Sequence, residues 1–261
     1  MASNKLFRGN LISHFFLNLI LMGEKIKKQC IVLLSGGLDS ATVLNIALEN
    51  YDVTALIFDY GQRHKFEISA AKKIAEIVDI PIKLITIDLG QFGNSALTDN
   101  IEVPKNQDIG KEIPITYVPV RNTIFLSYAL AYAEVNNIFD IFIGVNALDY
   151  SGYPDCRPEF IEAFEKMANE GTKFAQGNEK INIHTPLINL TKAQIILKGT
   201  KLNVDYNLTH SCYDPSIDGL SCGECDACIL RKDGFAAAGI NDPTNYTVSY
   251  THLTLPTTGS V

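Results

Sequence analysis

Cys30-Ile31-Val32-Leu33-Leu34-Ser35-Gly36-Gly37-Leu38-Asp39-Ser40-Ala41-Thr42-Val43-Leu44 is an apolar run, a glycine turn and a second apolar run. The first run, residues 30–34, has the length and composition of a buried strand, and the second belongs to a helix over residues 40–50. Strand, glycine-rich turn and helix N-terminus together have the geometry of a phosphate site. Two glycines let the backbone come close to an anion, and the unpaired amides of the first helical turn point at it. The hydroxyls of Ser35, Ser40 and Thr42 add donors. A carboxylate conflicts with a site that holds phosphate by charge alone, so Asp39 reads as a group that positions magnesium or pyrophosphate. The plainer alternative is a tight turn between a strand and a helix. The strand-to-helix setting of the whole loop favours the phosphate reading.

The alternation continues outward. Strands are expected at 53–58, 82–87 and 140–145, and a short apolar segment at 181–184. Helices are expected at 65–79, 121–136, 157–170 and 191–202, with a polar excursion over 89–116. Apolar strands separated by helices mean right-handed crossovers and a parallel sheet covered on both faces, an α/β fold. Ligands of such sheets lie beyond the carboxyl ends of the strands, near a switch in strand order.

A chain of 261 residues can bury one large domain with a small appendage, and 46% apolar with 20% charged residues is ordinary for a globular protein. The net charge of -7 opposes a bare polynucleotide partner. The apolar segment 11–22 carries His14 and Asn18 and is too short to span a membrane, which takes roughly 20 residues. Residues 1–25 are expected to lie outside the core fold, with Met22 as the natural start. Residues 26–205 read as the α/β nucleotide-binding domain, 206–246 as a metal module, and 247–261 as a disordered or foreign tail rich in Thr and Ser.

Four of six cysteines, Cys212, Cys222, Cys225 and Cys228, crowd together near the C-terminus. Four thiolates with two Cys-x2-Cys steps suit tetrahedral zinc, and four ligands leave no open position, so the metal is structural. An iron–sulfur cluster is the competing occupant. Reduced thiolates imply a cytoplasmic location.

Polar clusters follow the other strands. Asp59 to Glu67 holds Tyr60, Gln62, Arg63 and His64 directly beyond the second strand. Arg121 opens a helix, where a cation opposes the macrodipole, so it reads as aimed at an anion. The loop 149–160 contains Tyr150, Tyr153, Asp155, Cys156 and Arg157; aromatics stack on flat heterocycles and a carboxylate pairs with a purine-like N–H edge. Lys192, at the start of the last expected helix, is a candidate for pyrophosphate. Each of these has a bland counterpart: a solvated loop, a surface arginine over apolar area, a buried thiol, a solvated lysine.

No lysine ends the glycine loop, which separates it from the Gly-Lys-Ser/Thr phosphate loop. The stretch resembles instead the Ser-Gly-Gly-x-Asp-Ser pyrophosphatase loop (PP-loop) of ATP-dependent adenylating enzymes. Over residues 29–246 the chain resembles the 7-cyano-7-deazaguanine synthase family of that group. The resemblance rests on Leu34 to Leu44, Asp59 to Glu67, Val118 to Asn122, Tyr150 to Arg157, Ser211-Cys212-Tyr213, Cys222 to Cys228 and Asp242-Pro243. One departure is Val120, where family members often carry glycine.

The resemblance implies an adenine nucleotide alpha-hydrolase-like fold with a small C-terminal zinc module. It implies a ligase of queuosine precursor biosynthesis that joins 7-carboxy-7-deazaguanine and ammonia at the expense of ATP. An activated carboxylate becomes an amide, and a second activation gives the nitrile. Leu34 to Leu44 then bind ATP with Mg2+. Asp39, Arg121 and Lys192 are the expected catalytic groups, Tyr153, Asp155 and Arg157 the expected substrate contacts, and a homodimer the expected assembly. Rival readings are a tRNA sulfur-insertase of the same superfamily, with Cys156 as its thiol, and a zinc-containing module that binds without catalysing.

Overall fold

The computed structural model describes residues 27–107, 112–147 and 152–247. The expected N-terminal extension, residues 248–261 of the expected tail, and Tyr150 lie outside the described residues.

The frame is a five-stranded sheet of β1 (Lys28–Leu33), β2 (Tyr51–Asp59), β3 (Ile82–Thr86), β4 (Asp140–Phe142) and β5 (Asn182–His184). Its order is β3-β2-β1-β4-β5, and every pairing is parallel. Val32 lies opposite Ala55 on one side and Phe142 on the other, which places β1 at the centre. The chain steps outward from β1 to β3 and then crosses back to β4. The switch in strand order therefore falls between β1 and β4, and a crevice opens beyond their carboxyl ends.

Among the described residues six helices cover the faces: α1 (Leu38–Leu48), α2 (Phe66–Ile77), α3 (Arg121–Asn136), α4 (Pro158–Gly171), α5 (Lys192–Lys201) and α6 (Asp226–Ala238). Alternation along β1 divides the core into two layers. Ile31 and Leu33 pack with Leu126, Ala129, Ile161 and Phe164 of α3 and α4. Cys30 and Val32 pack with Val43, Leu44, Ile68, Ile195 and Phe235 of α1, α2, α5 and α6. Each fully buried Ile, Leu or Val side chain contributes about 1.5–3 kcal/mol.

The expected α/β parallel sheet is the observed one. β4 is shorter than the expected 140–145, because after Phe142 the chain leaves the ladder and turns toward α1; Ile143 N–H still donates to the His184 carbonyl at 3.0 Å. α5 starts one residue later than expected because Thr191 is its N-cap, in a capping box with Gln194. Helix α6 is not anticipated in the sequence reading. Its Phe235, with Tyr206, packs into the layer shared by α1 and α5. No described helix is long and apolar enough to cross a membrane.

Candidate active site

At the switch point lies a cavity of about 210 Å³. Ser35, Gly37, Leu38, Asp39 and Ser40 line one wall, and Lys192, Arg121 and Tyr153 reach it from α5, α3 and the segment before α4. These expected residues, separate in sequence, are brought together. Asp155 and Arg157 are not among the lining residues.

The glycine loop is held open by its own side chains. Gly36 has φ +90°, and a Cβ there would collide with the carbonyl oxygen of Glu67, so only glycine lets the loop lie against α2. Ser40 Oγ donates to the Gly37 carbonyl at 3.0 Å and accepts from Gly36 N–H at 3.2 Å, while Ser35 Oγ donates to Ser40 Oγ at 3.0 Å. Leu38 and Asp39 form the first turn of α1, whose positive dipole end faces the cavity. Thr42, expected as a phosphate donor, is fully buried; its Oγ1 donates to the Leu38 carbonyl at 2.9 Å and lies 2.9 Å from the Tyr206 hydroxyl. It braces the turn from behind. Ala41, Val43 and Leu44 are likewise core residues of α1.

Lys192 Nζ donates to both carboxylate oxygens of Asp39, each at 2.8 Å. Its stem crosses Gly234 of α6, where a Cβ would collide with Lys192 Cγ. Glycine at that point lets α6 close over the lysine and aim it at the loop.

Arg121 sits in the first turn of α3 with its guanidinium 6.0 Å from the Tyr60 ring centroid. Tyr60, Tyr153 and Glu67 surround it in the cavity wall. Burial pushes the Tyr60 phenol up to about 12. Burial also pushes the Glu67 carboxyl up to about 7, against the pull of Arg121. Phe125 and Phe58, stacked at 4.1 Å, and Tyr213 complete an aromatic side.

Asp155 is buried behind this wall. Its Oδ2 accepts the Asn122 N–H at 3.0 Å, and its carbonyl accepts from Asn122 Nδ2 at 3.1 Å. A carboxylate on the first turn of α3 satisfies an orphan amide and the dipole. Asp155 thus fixes the start of α3, and with it Arg121. Arg157 is the N-cap residue of α4 and exposed. Asn122 Nδ2 also donates to Cys156 Sγ at 3.4 Å, and burial pushes that thiol up to about 12.

His64 lines the cavity with its ring 5.5 Å from that of His210. Burial lowers the pKa of both, His210 to about 4. Tyr60, Glu67 and Tyr213 were quoted only within longer stretches and given no role of their own, and Arg231 was not noted in the sequence. Tyr60 and Glu67 lie within the polar cluster after β2, a stretch that also carries the family resemblance. Arg231 is 3% exposed and donates to Asp242, to Thr209 Oγ1 at 2.7 Å and to the Tyr206 carbonyl at 3.0 Å.

The sulfurs of Cys212, Cys222, Cys225 and Cys228 all lie within 4.8 Å of one another. Four ligands at about 2.3 Å around a tetrahedral zinc stand about 3.8 Å apart, so the set fits such an ion. Backbone amides point at the sulfurs: Cys222 N–H donates to Cys212 Sγ at 3.1 Å, Cys225 N–H to Cys222 Sγ at 3.3 Å and Tyr213 N–H to Cys225 Sγ at 3.5 Å. Such donors suit thiolates and favour a bound cation. The strand of chain ahead of Cys212 runs along the glycine loop, with His210 N–H donating to the Gly36 carbonyl at 2.9 Å.

The family model of the queuosine biosynthesis protein QueC matches residues 29–239. A 7-cyano-7-deazaguanine synthase from Desulfatibacillum aliphaticivorans is 62% identical over 226 residues, 84% of this chain and 97% of that protein. One from Syntrophus aciditrophicus (strain SB) is 60% identical over 223 residues, 83% of this chain and 96% of that protein. Among solved structures, the NMN synthetase from Francisella tularensis is similar with a TM-score of 0.44 and 21% identity, over 84% of this chain and 80% of that one. With the glycine loop and the cysteine cluster inside the matched span, the chain belongs to the QueC family of queuosine biosynthesis proteins.

Proposed function

We propose that this enzyme converts 7-carboxy-7-deazaguanine and ammonia to 7-cyano-7-deazaguanine, using ATP to activate first the carboxylate and then the amide. The observation that carries the reading is convergence. An anion-binding loop, Lys192 and Arg121 open onto one cavity whose remaining side is aromatic.

A carboxylate is a poor electrophile until its oxygen is joined to phosphate as a mixed anhydride. The amides and hydroxyls of Ser35 to Ser40 cradle the phosphates that depart. Lys192, buried and aimed by Gly234, sets its charge beside them. Asp39 is the loop's one carboxylate. That suits magnesium, which Asp39 would help to hold and which would supply charge neutralisation when bound. Arg121, fixed by Asp155 through Asn122, faces the reacting carboxylate and the transferred phosphate. Tyr153, Tyr60 and Phe125 offer faces for the deazapurine ring. Asp155 acts from behind the cavity wall by holding the start of α3, and Arg157 stands exposed at the start of α4.

The four cysteines would hold a structural zinc ion, which would staple residues 206–246 to the body. A cytoplasmic homodimer without a nucleic-acid partner completes the reading. Incubation with ATP, magnesium, ammonium and the carboxy base, followed by mass spectrometry, is expected to yield the nitrile. Recovery of the unreacted acid from folded, metal-loaded protein contradicts the proposal.

A further inference from the structure

The proposed reaction has a requirement that phosphate chemistry does not meet. Ammonia enters with three N–H bonds and the nitrile nitrogen leaves with none. One proton is lost when nitrogen displaces the first nucleotide oxygen and the amide forms. The second leaves as the amide oxygen is activated. The third leaves as the C–O bond breaks and the triple bond closes. The two carboxylate oxygens depart on the two released phosphate groups, first from a mixed anhydride and then from a phosphorylated imidate, so no oxidant or reductant is involved. A proton acceptor inside the cavity is needed three times.

Most titratable groups in the wall are unsuited. Asp39 is held by Lys192 through two contacts of 2.8 Å. Arg63, Arg121 and Arg231 are permanent cations. Tyr60 and Cys156 are buried and keep their protons at neutral pH. His64 lies against the backbone of Cys212 and Tyr213.

Glu67 differs in three respects. Its side chain lines the cavity from the first turn of α2. Its backbone is fixed to the phosphate loop, because Gly36 packs directly on its carbonyl oxygen. Its carboxyl accepts no hydrogen bond from another described residue, although Arg121 lies near enough to influence it. We propose that Glu67 is the general base that takes the protons from nitrogen in the amide- and nitrile-forming steps. The inference rests on the proposed reaction. Burial brings the carboxyl to about 7, so it takes up and releases protons near neutral pH. The ionisable groups whose charge reaches it are Arg121 from α3 and Tyr60 beyond β2, and His64, from the loop before α2, lines the same cavity.

The discriminating test separates phosphate steps from nitrogen steps. Positional isotope exchange in ATP, driven by the carboxy base without ammonia, reports carboxylate activation and involves no N–H proton. In Glu67→Gln that exchange is expected to persist with an unchanged half-saturation for the acid, while nitrile formation falls about 100-fold or more. Glu67→Asp is expected to recover part of the loss. At fixed free ammonia the wild-type rate should fall as pH drops through about 7, and the Gln variant should lack that limb. Nitrile formation at the wild-type rate in Glu67→Gln overturns the proposal. So does loss of the exchange with it, or a raised half-saturation for the acid alone, either of which places Glu67 in substrate binding. Failure of the wild-type protein to make nitrile at all instead overturns the proposed reaction.

Discussion

Lys192 Nζ lies 2.8 Å from each carboxylate oxygen of Asp39, joining the first turns of two helices that are 153 residues apart in sequence. The lysine side chain is 9% exposed and the carboxylate 21%. The pair is a hinge of charge at the mouth of the phosphate loop, set to reorganise when a triphosphate brings its own anions.

Asp39→Ala is expected to abolish turnover with the fold retained. The pair borders an open cavity, so its loss costs about 1 kcal/mol, within the reach of a partly solvated ion pair. Steady-state rates and a thermal melt check both halves. Near-normal turnover contradicts the role given to Asp39.

Removing the metal is expected to weaken nucleotide binding as well as stability. The segment leading to Cys212 donates from His210 N–H to the Gly36 carbonyl, and Leu38 N–H donates to Ser211 Oγ at 3.5 Å. Cys225→Ser should lower the metal content measured by mass spectrometry, the melting temperature and the ATP affinity measured by calorimetry. Unchanged ATP affinity in metal-free protein would show that the two sites are independent.

Val120 has φ +53° and ψ +22°, a left-handed conformation that a β-branched residue adopts at a cost. It is 53% exposed, so its side chain contributes little packing. Val120→Gly is expected to stabilise the fold by about 0.5–1 kcal/mol, the relief of left-handed strain less the added freedom of the unfolded chain. Urea denaturation reads the shift, and a lower midpoint contradicts it.

Cys30 and Cys156 are both buried, and burial pushes each thiol up to about 12 from an ordinary value of 9.0. A folded-state pKa above the unfolded one means the unfolded chain releases its proton first as pH rises. Stability should therefore decline above about pH 9. The same burial keeps Cys156 a neutral thiol at pH 7, a poor nucleophile. Cys156→Ala should retain ammonia-dependent turnover, measured by nitrile yield; its loss would favour sulfur chemistry.

The parallel sheet was legible because Cys30 to Leu34 and Val53 to Phe58 are apolar runs of strand length, and buried strands need little else. The phosphate loop was legible because it is contiguous. Asp155 was read as a substrate contact, and its hold on the Asn122 N–H was not legible because that partner lies 33 residues away; a cap supplied across such a distance leaves no local pattern. Glu67 and Tyr60 lay inside a quoted cluster, but which members of a polar loop face inward depends on Gly36 meeting α2. Helix α6 hid behind its cysteines, since its buried face uses Gly234, Arg231 and Cys228 in place of an apolar stripe.

A crystal structure with magnesium and a non-hydrolysable ATP analogue bears on all of these points. The phosphates are expected on the amides of Gly36 to Ser40, with Lys192 turned from Asp39 toward them and Arg121 across the cavity. A nucleotide bound elsewhere, with the Ser35–Ser40 loop and the Lys192–Asp39 pair undisturbed, contradicts the assignment of this loop as the site of ATP activation.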